Sequence, residues 1–161
     1  MGQYYCGVIL NSRRKNYTNK EKVKAWLSPY SYDNGAKLME HSYIGNDYVS
    51  AFEALINKEN GEYAGYPIIW AGDYADEEPN TFHKEKVNVN SLCDDANKVM
   101  VTQPKHYRYV INEDKNVFID TDKIKKDKYG YRIHPLPLLC ADGNGRGGGD
   151  FWGKNQRRVG S

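Results

Sequence analysis

The chain has 161 residues, a formal net charge of +2 and a hydrophobic content of 39%, with a mean hydropathy of −0.84. That length suits one domain with a single substantial core. The near-neutral balance excludes a dedicated DNA-coating protein, which would be strongly basic, and no apolar stretch reaches the length of a membrane span.

In chain order, Gln3 to Asn11 reads as a strand with apolar residues on both faces: Tyr5, Gly7 and Ile9 on one, Tyr4, Cys6, Val8 and Leu10 on the other. Two apolar faces predict a central strand. Asn11 to Lys22 is polar and basic, a hairpin loop, and Val23 to Leu27 is the returning strand, broken by Ser28-Pro29. Asp33-Asn34-Gly35 is expected to start a short helix through Ala36, Leu38, Met39 and His41. Gly45 ends it, and Asn46 or Asp47 caps a second helix whose apolar stripe is Val49, Phe52, Leu55 and Ile56. Lys58 to Gly65 is a loop and Tyr66 to Ala71 a short buried strand, turning at Gly72-Asp73.

Asp76 to Asn90 reads as surface loop, and Ser91 to Lys98 as a short helix. Tyr107 to Asn112 and Val117 to Asp120 form a hairpin around Glu113-Asp114-Lys115-Asn116. After the charged loop Lys123 to Gly130, Tyr131 to His134 returns as strand. Pro135 and Pro137 are expected to hold the chain extended into Leu138-Leu139-Cys140. The sum is an α+β single domain over residues 1–161. Its sheet is mostly antiparallel or mixed, with about two short helices on one face and long loops.

Low hydropathy would suggest disorder if aromatics were scarce, but 14 Tyr, 4 Phe and 3 Trp supply buried area with polar edges. Tyr and Trp are also enriched at binding surfaces. Charge is uneven. Arg13, Arg14 and Lys15 cluster early, Lys123 to Lys128 holds four lysines, and Asp73 to Glu78 holds four carboxylates. Patches of both signs suit a protein partner or a phosphate ligand. Cys6, Cys93 and Cys140 form no C-x-x-C pair and read as free thiols of a reducing cytoplasm. No secretory signal opens the chain, so a cytoplasmic location is expected.

Three places carry candidate chemistry. Gly143-Asn144-Gly145-Arg146-Gly147-Gly148 matches G-x-G-x-x-G, yet Asp150-Phe151-Trp152-Gly153 follows with no helical stripe to receive a pyrophosphate. What remains is a backbone nest for an anion formed by Asn144, Gly145, Arg146, Gly147, Gly148 and Asp150. Asp73, Tyr74, Asp76 and Glu77 follow a strand end, where carboxylates serve as partner contacts or simply as turn caps, and where Asp73 and Asp76 could hold a divalent cation or act as acid and base. The four histidines show no metal-ligand spacing, so neither a metal nor another cofactor is expected. His134, which leads to the glycine run, is the histidine most open to another role.

Met1-Gly2-Gln3-Tyr4-Tyr5, the run Asn34 to Asn46 (NGAKLMEHSYIGN), Ile133 to Leu139 (IHPLPLL) and Gly143 to Asp150 (GNGRGGGD) together resemble a small-protein family of Firmicutes, their phages and other mobile elements. That family carries no established activity, so the resemblance transfers no functional residue. Its members continue past the equivalent of Val159-Gly160-Ser161, which makes residues 142–161 a glycine-rich loop followed by a shortened tail. The setting implies an anti-CRISPR-like accessory protein. Such a protein binds host defence machinery stoichiometrically, by contact with a nucleoprotein or a phosphate-bearing ligand. The alternative is a small hydrolase acting on a nucleotide or phosphoester, with His41, Asp73 and His134 converging on one cleft.

Overall fold

Tyr5–Leu10 (β1) is buried at every position, because both faces of this strand are covered. The computed structural model describes residues 3–11, 22–75, 78–79 and 86–143. Along the chain β1 is followed by β2 (Val23–Leu27), α1 (Asp47–Ile56), β3 (Ile68–Gly72) and the two-residue strands β4 (Glu78–Pro79) and β5 (Lys86–Val87). Then come α2 (Val89–Leu92), β6 (Tyr109–Asn112), β7 (Val117–Asp120), α3 (Pro135–Cys140) and β8 (Ala141–Asp142). The main sheet has the order β2-β1-β3-β8. β1 is antiparallel to both β2 and β3, while β8 is parallel to β3, so the sheet is mixed.

The alternation of β1 builds two cores. Tyr5 and Ile9 join Tyr48, Ala51, Phe52 and Leu55 of α1, Trp70 of β3 and Leu136 of α3. Cys6, Val8 and Leu10 join Val23, Ala71, Val89, Leu92 and Cys93 on the other face. Two short helices, α1 and α3, therefore share one face, and α2 with the 3-10 turn Cys93–Asp95 covers the other. The α+β class and the central position of β1 agree with the sequence. α1 starts where its cap predicts, with Asn46 Oδ1 accepting from Val49 N–H at 2.7 Å. Among the described residues no helix is long and apolar enough to cross a membrane.

Four local expectations are corrected. Ala36 to His41 is not helical, because Ala36 C=O accepts from Tyr5 N–H at 2.7 Å and its backbone is committed to the edge of β1. Pro135 and Pro137 do not hold an extended segment; they lie in the first turn of α3, where a missing N–H costs nothing. Tyr131 to His134 is reduced to a single bridge, Ile133 opposite Tyr43. The helix expected from Ser91 begins at Val89, with Asn88 as its cap, and gives way to a 3-10 turn at Cys93.

Candidate functional site

The three residues expected to converge have separate partners. Asp73 Oδ1 accepts from Tyr4 N–H at 2.9 Å, and Asp73 N–H returns to Tyr4 C=O at 2.9 Å, so this carboxylate caps the end of the β1–β3 ladder. His41 Nδ1 accepts from Lys37 N–H at 3.0 Å, and its ring lies against Gly35. His134 is buried on the α1 face beside Glu53. Tyr74 is exposed. Asp76 and Glu77 lie outside the described residues, as do Asn144, Gly145, Arg146, Gly147, Gly148 and Asp150 of the glycine run.

Asp73 also borders an open cleft of about 270 Å³, with Tyr4, Tyr30, Asn90 and Asp94 around it. At this cleft Cys6 Sγ and Cys93 Sγ approach to 3.8 Å, a pairing across 87 positions that no local spacing announces. The hydrogen bond with Cys93, followed by burial, pushes the Cys6 thiol well above its ordinary range. A protonated, buried thiol is a poor nucleophile.

Among the described residues, the chemically richest cluster is Glu53, His106 and His134. Glu53 projects from α1 four residues after Val49, on the buried stripe of that helix. His134 is the N-cap of α3, its Nδ1 accepting from Leu136 N–H at 3.1 Å. Because Pro135 and Pro137 have no N–H, Leu136 carries the only amide within the first three helical positions, and this histidine satisfies it. The acceptor role of Nδ1 leaves the ring proton on Nε2, which lies 3.1 Å from Glu53 Oε1. Yet neither Nε2 nor Oε1 makes a hydrogen bond, because the pair is close but misaligned.

His106 stands beside the same carboxylate. Its Nδ1 is 3.8 Å from Glu53 Oε1, and its ring meets that of His134 edge to face at 6.5 Å between centroids. On its other side Nε2 is 3.4 Å from Thr121 Oγ1. The Thr121 hydroxyl donates to Arg108 C=O at 2.6 Å, so toward His106 it can only accept, which sets Nε2–H and a free Nδ1 lone pair. A hydroxyl, an imidazole and a carboxylate stand in the order of a nucleophilic relay, but the tautomer is the reverse of the one a relay needs, with Nε2–H toward the hydroxyl. Thr121 is fully buried with its hydrogen committed, so it is a structural member and not an attacking group. The three ligand atoms of Glu53, His106 and His134 all lie within 4.8 Å of one another. Positions 53, 106 and 134 share no sequence spacing; the one readable signal was a carboxylate on the apolar stripe of α1.

The second feature is a surface. In the β6–β7 hairpin, Ile111 pairs with Phe118 and Tyr109 with Asp120. One face carries Val110, which packs toward the core, and the other carries Tyr109, Ile111 and Phe118. These three are 49%, 58% and 66% exposed. Tyr109 and Phe118 meet edge to face at 5.6 Å, and the Arg108 guanidinium sits 5.2 Å from the Tyr109 ring centre. Arg108 also forks onto Asp120 at 3.1 and 3.0 Å and reaches Asp122 at 3.2 Å. Its hydrogen bonds hold the Asp120 carboxyl below the ordinary range.

No family model matches the chain, and no curated protein or solved structure matches it either.

Proposed function

We propose that the chain is a binding protein, an accessory protein of a phage or mobile element that captures a host defence complex stoichiometrically through the outer face of the β6–β7 hairpin. One observation supports this above all. Tyr109, Ile111 and Phe118 form an apolar face exposed to water, with the Arg108 guanidinium 5.2 Å from the Tyr109 ring centre. Contiguous exposed apolar groups mark contact sites, and Tyr and Arg are among the residues that dominate interface energies. The surroundings favour a protein over a nucleic acid or an anionic membrane. Arg108, Lys115 and Lys123 are offset by Glu113, Asp114, Asp120 and Asp122, so the hairpin lacks the basic stripe that either anionic partner needs. The defence-complex assignment rests on the resemblance of the sequence to phage and mobile-element proteins.

The test is a titration of the purified chain into a reconstituted RNA-guided nuclease from a Firmicutes host. Inhibition is expected to saturate at one chain per complex, and Phe118→Asp should weaken it by more than about tenfold, the loss of one interface anchor. Tyr30→Asp, a substitution at an exposed tyrosine elsewhere, should leave it unchanged. Inhibition by a small fraction of an equivalent would instead establish turnover, and inhibition indifferent to Phe118→Asp would remove the hairpin from the account.

A further inference from the structure

We propose that Glu53, His106 and His134 form a binding site for one divalent first-row transition-metal ion, of the zinc type. The inference is independent of the hairpin. Glu53 is 6% exposed and His134 not at all, so a carboxylate oxygen and an imidazole nitrogen are withdrawn from water together. Buried polar atoms are normally paired, and a buried carboxylate needs a compensating charge. Here Glu53 Oε1 and His134 Nε2 are 3.1 Å apart and both lack a hydrogen bond. His106 Nδ1 lies 3.8 Å from the same Glu53 oxygen, so three donor atoms cluster together. A cation held between them satisfies all three at once.

The dimensions and donors fit this occupant. Metal–ligand bonds of about 2.0–2.2 Å place tetrahedral ligand atoms roughly 3.3–3.6 Å apart. The Glu53–His134 pair at 3.1 Å need open only slightly, and the His106 nitrogen, 3.8 Å from Glu53 Oε1, need move inward only slightly. The His106 side chain, one-third exposed, can supply that movement and also opens the route of entry. Two imidazole nitrogens and one carboxylate select zinc, iron, cobalt or nickel over magnesium or calcium, which require oxygen shells. His106 has the outer support usual for a ligand, its Nε2–H facing the Thr121 hydroxyl and its Nδ1 lone pair facing Glu53 Oε1. Three protein donors leave a further coordination position for water.

His134 attaches a cost and a signature. In the metal-free chain its ring proton is on Nε2, because Nδ1 accepts from Leu136 N–H. Coordination through Nε2 displaces that proton to Nδ1, where it opposes the Leu136 N–H, so the cap bond is lost. Metal capture is thereby coupled to loosening of the first turn of α3. The Leu136 amide, flanked by two prolines, is an isolated reporter of that event.

The full chain, stripped with chelator, is titrated with Zn2+ by calorimetry and with Co2+ by visible absorption. One equivalent is expected to bind. Co2+ should give d–d bands of low coordination number, Zn2+ should raise the thermal midpoint by mass action, and the Leu136 amide resonance should shift. His106→Gln, at a partly exposed position, should keep the native circular dichroism and lose more than about tenfold in affinity. Glu53→Gln should lose at least as much. The proposal is overturned if neither ion binds stoichiometrically, if His106→Gln and Glu53→Gln bind as the parent does, or if a cobalt–thiolate band that vanishes in Cys93→Ser places the ion at the cysteine pair.

Discussion

The Tyr48 hydroxyl stands where a ladder hydrogen bond between β1 and β2 would otherwise be. It accepts from Gly7 N–H at 2.7 Å and donates to Leu27 C=O at 2.8 Å, and Gly7 and Leu27 are register partners. A helix side chain is thereby inserted into the sheet, and burial pushes its phenol well above the ordinary tyrosine range. Gly7 makes room for the rings beneath it. A Cβ there would come within 2.6 Å of Phe52 Cδ2 and 2.8 Å of Trp70 Cζ3. We therefore expect Tyr48→Phe, which strands a buried donor and a buried acceptor, to cost about 1–3 kcal/mol. Gly7→Ala should cost about 1–3 kcal/mol by overpacking. Urea titration of both variants checks this; a cost below about 0.5 kcal/mol for Tyr48→Phe would mean that the sheet bond reforms without the hydroxyl.

At the level of elements, the clearest lesson comes from the turn of the β6–β7 hairpin. Asn116 takes φ +52°, a left-handed conformation that asparagine tolerates and branched residues do not. Asn112 Oδ1 accepts from Lys115 N–H at 3.0 Å and braces the same turn. Asn116→Val should cost about 1–2 kcal/mol, while Asn116→Gly should be neutral or mildly stabilising. Thermal melts of the two distinguish turn strain from a lost side-chain contact, since a contact would make both variants worse. This element was legible because its turn residues and its alternating strands are adjacent in sequence. α1 was legible for a similar reason, through Asn46 and the stripe after it. Ala36 to His41 misled because Ala36 and Met39, three apart, have helical spacing, while the hydrogen bond that prevents a helix comes from Tyr5, thirty-one positions upstream of Ala36. The prolines of α3 misled because a P-x-P run reads as extended unless its first proline is known to follow a cap. The Glu53 cluster was nearly illegible for a stronger reason: helix α1, the loop at His106 and the cap of α3 meet only in the fold.

Taken as a whole, the molecule is held by groups that prefer to be neutral. Burial pushes the Cys140 thiol up to about 11 from its ordinary 9.0. Cys6, through Cys93 and burial, and Tyr48, through burial, are raised in the same direction. Each group releases its proton more readily in the unfolded chain than in the fold. Their contribution is therefore complete below about pH 9 and is lost as pH rises through about 11 and beyond. Denaturant midpoints should fall steadily from pH 9 to pH 11, and Cys140→Ala should flatten part of that fall. A midpoint that stays level over this interval would mean that these protons do not report on folding.

The mixed sheet has a consequence in time as well as in space. β1 lies within the first ten residues, but the strand that completes the β3 edge is Ala141–Asp142, paired in parallel with Trp70 and Ala71. Parallel closure over some seventy intervening residues is slow, because loop entropy is spent before the pairing returns it. During synthesis the β3 edge must wait, unpaired and apolar, until residue 142 has cleared the ribosome. That interval exposes the nascent chain to strand-to-strand association.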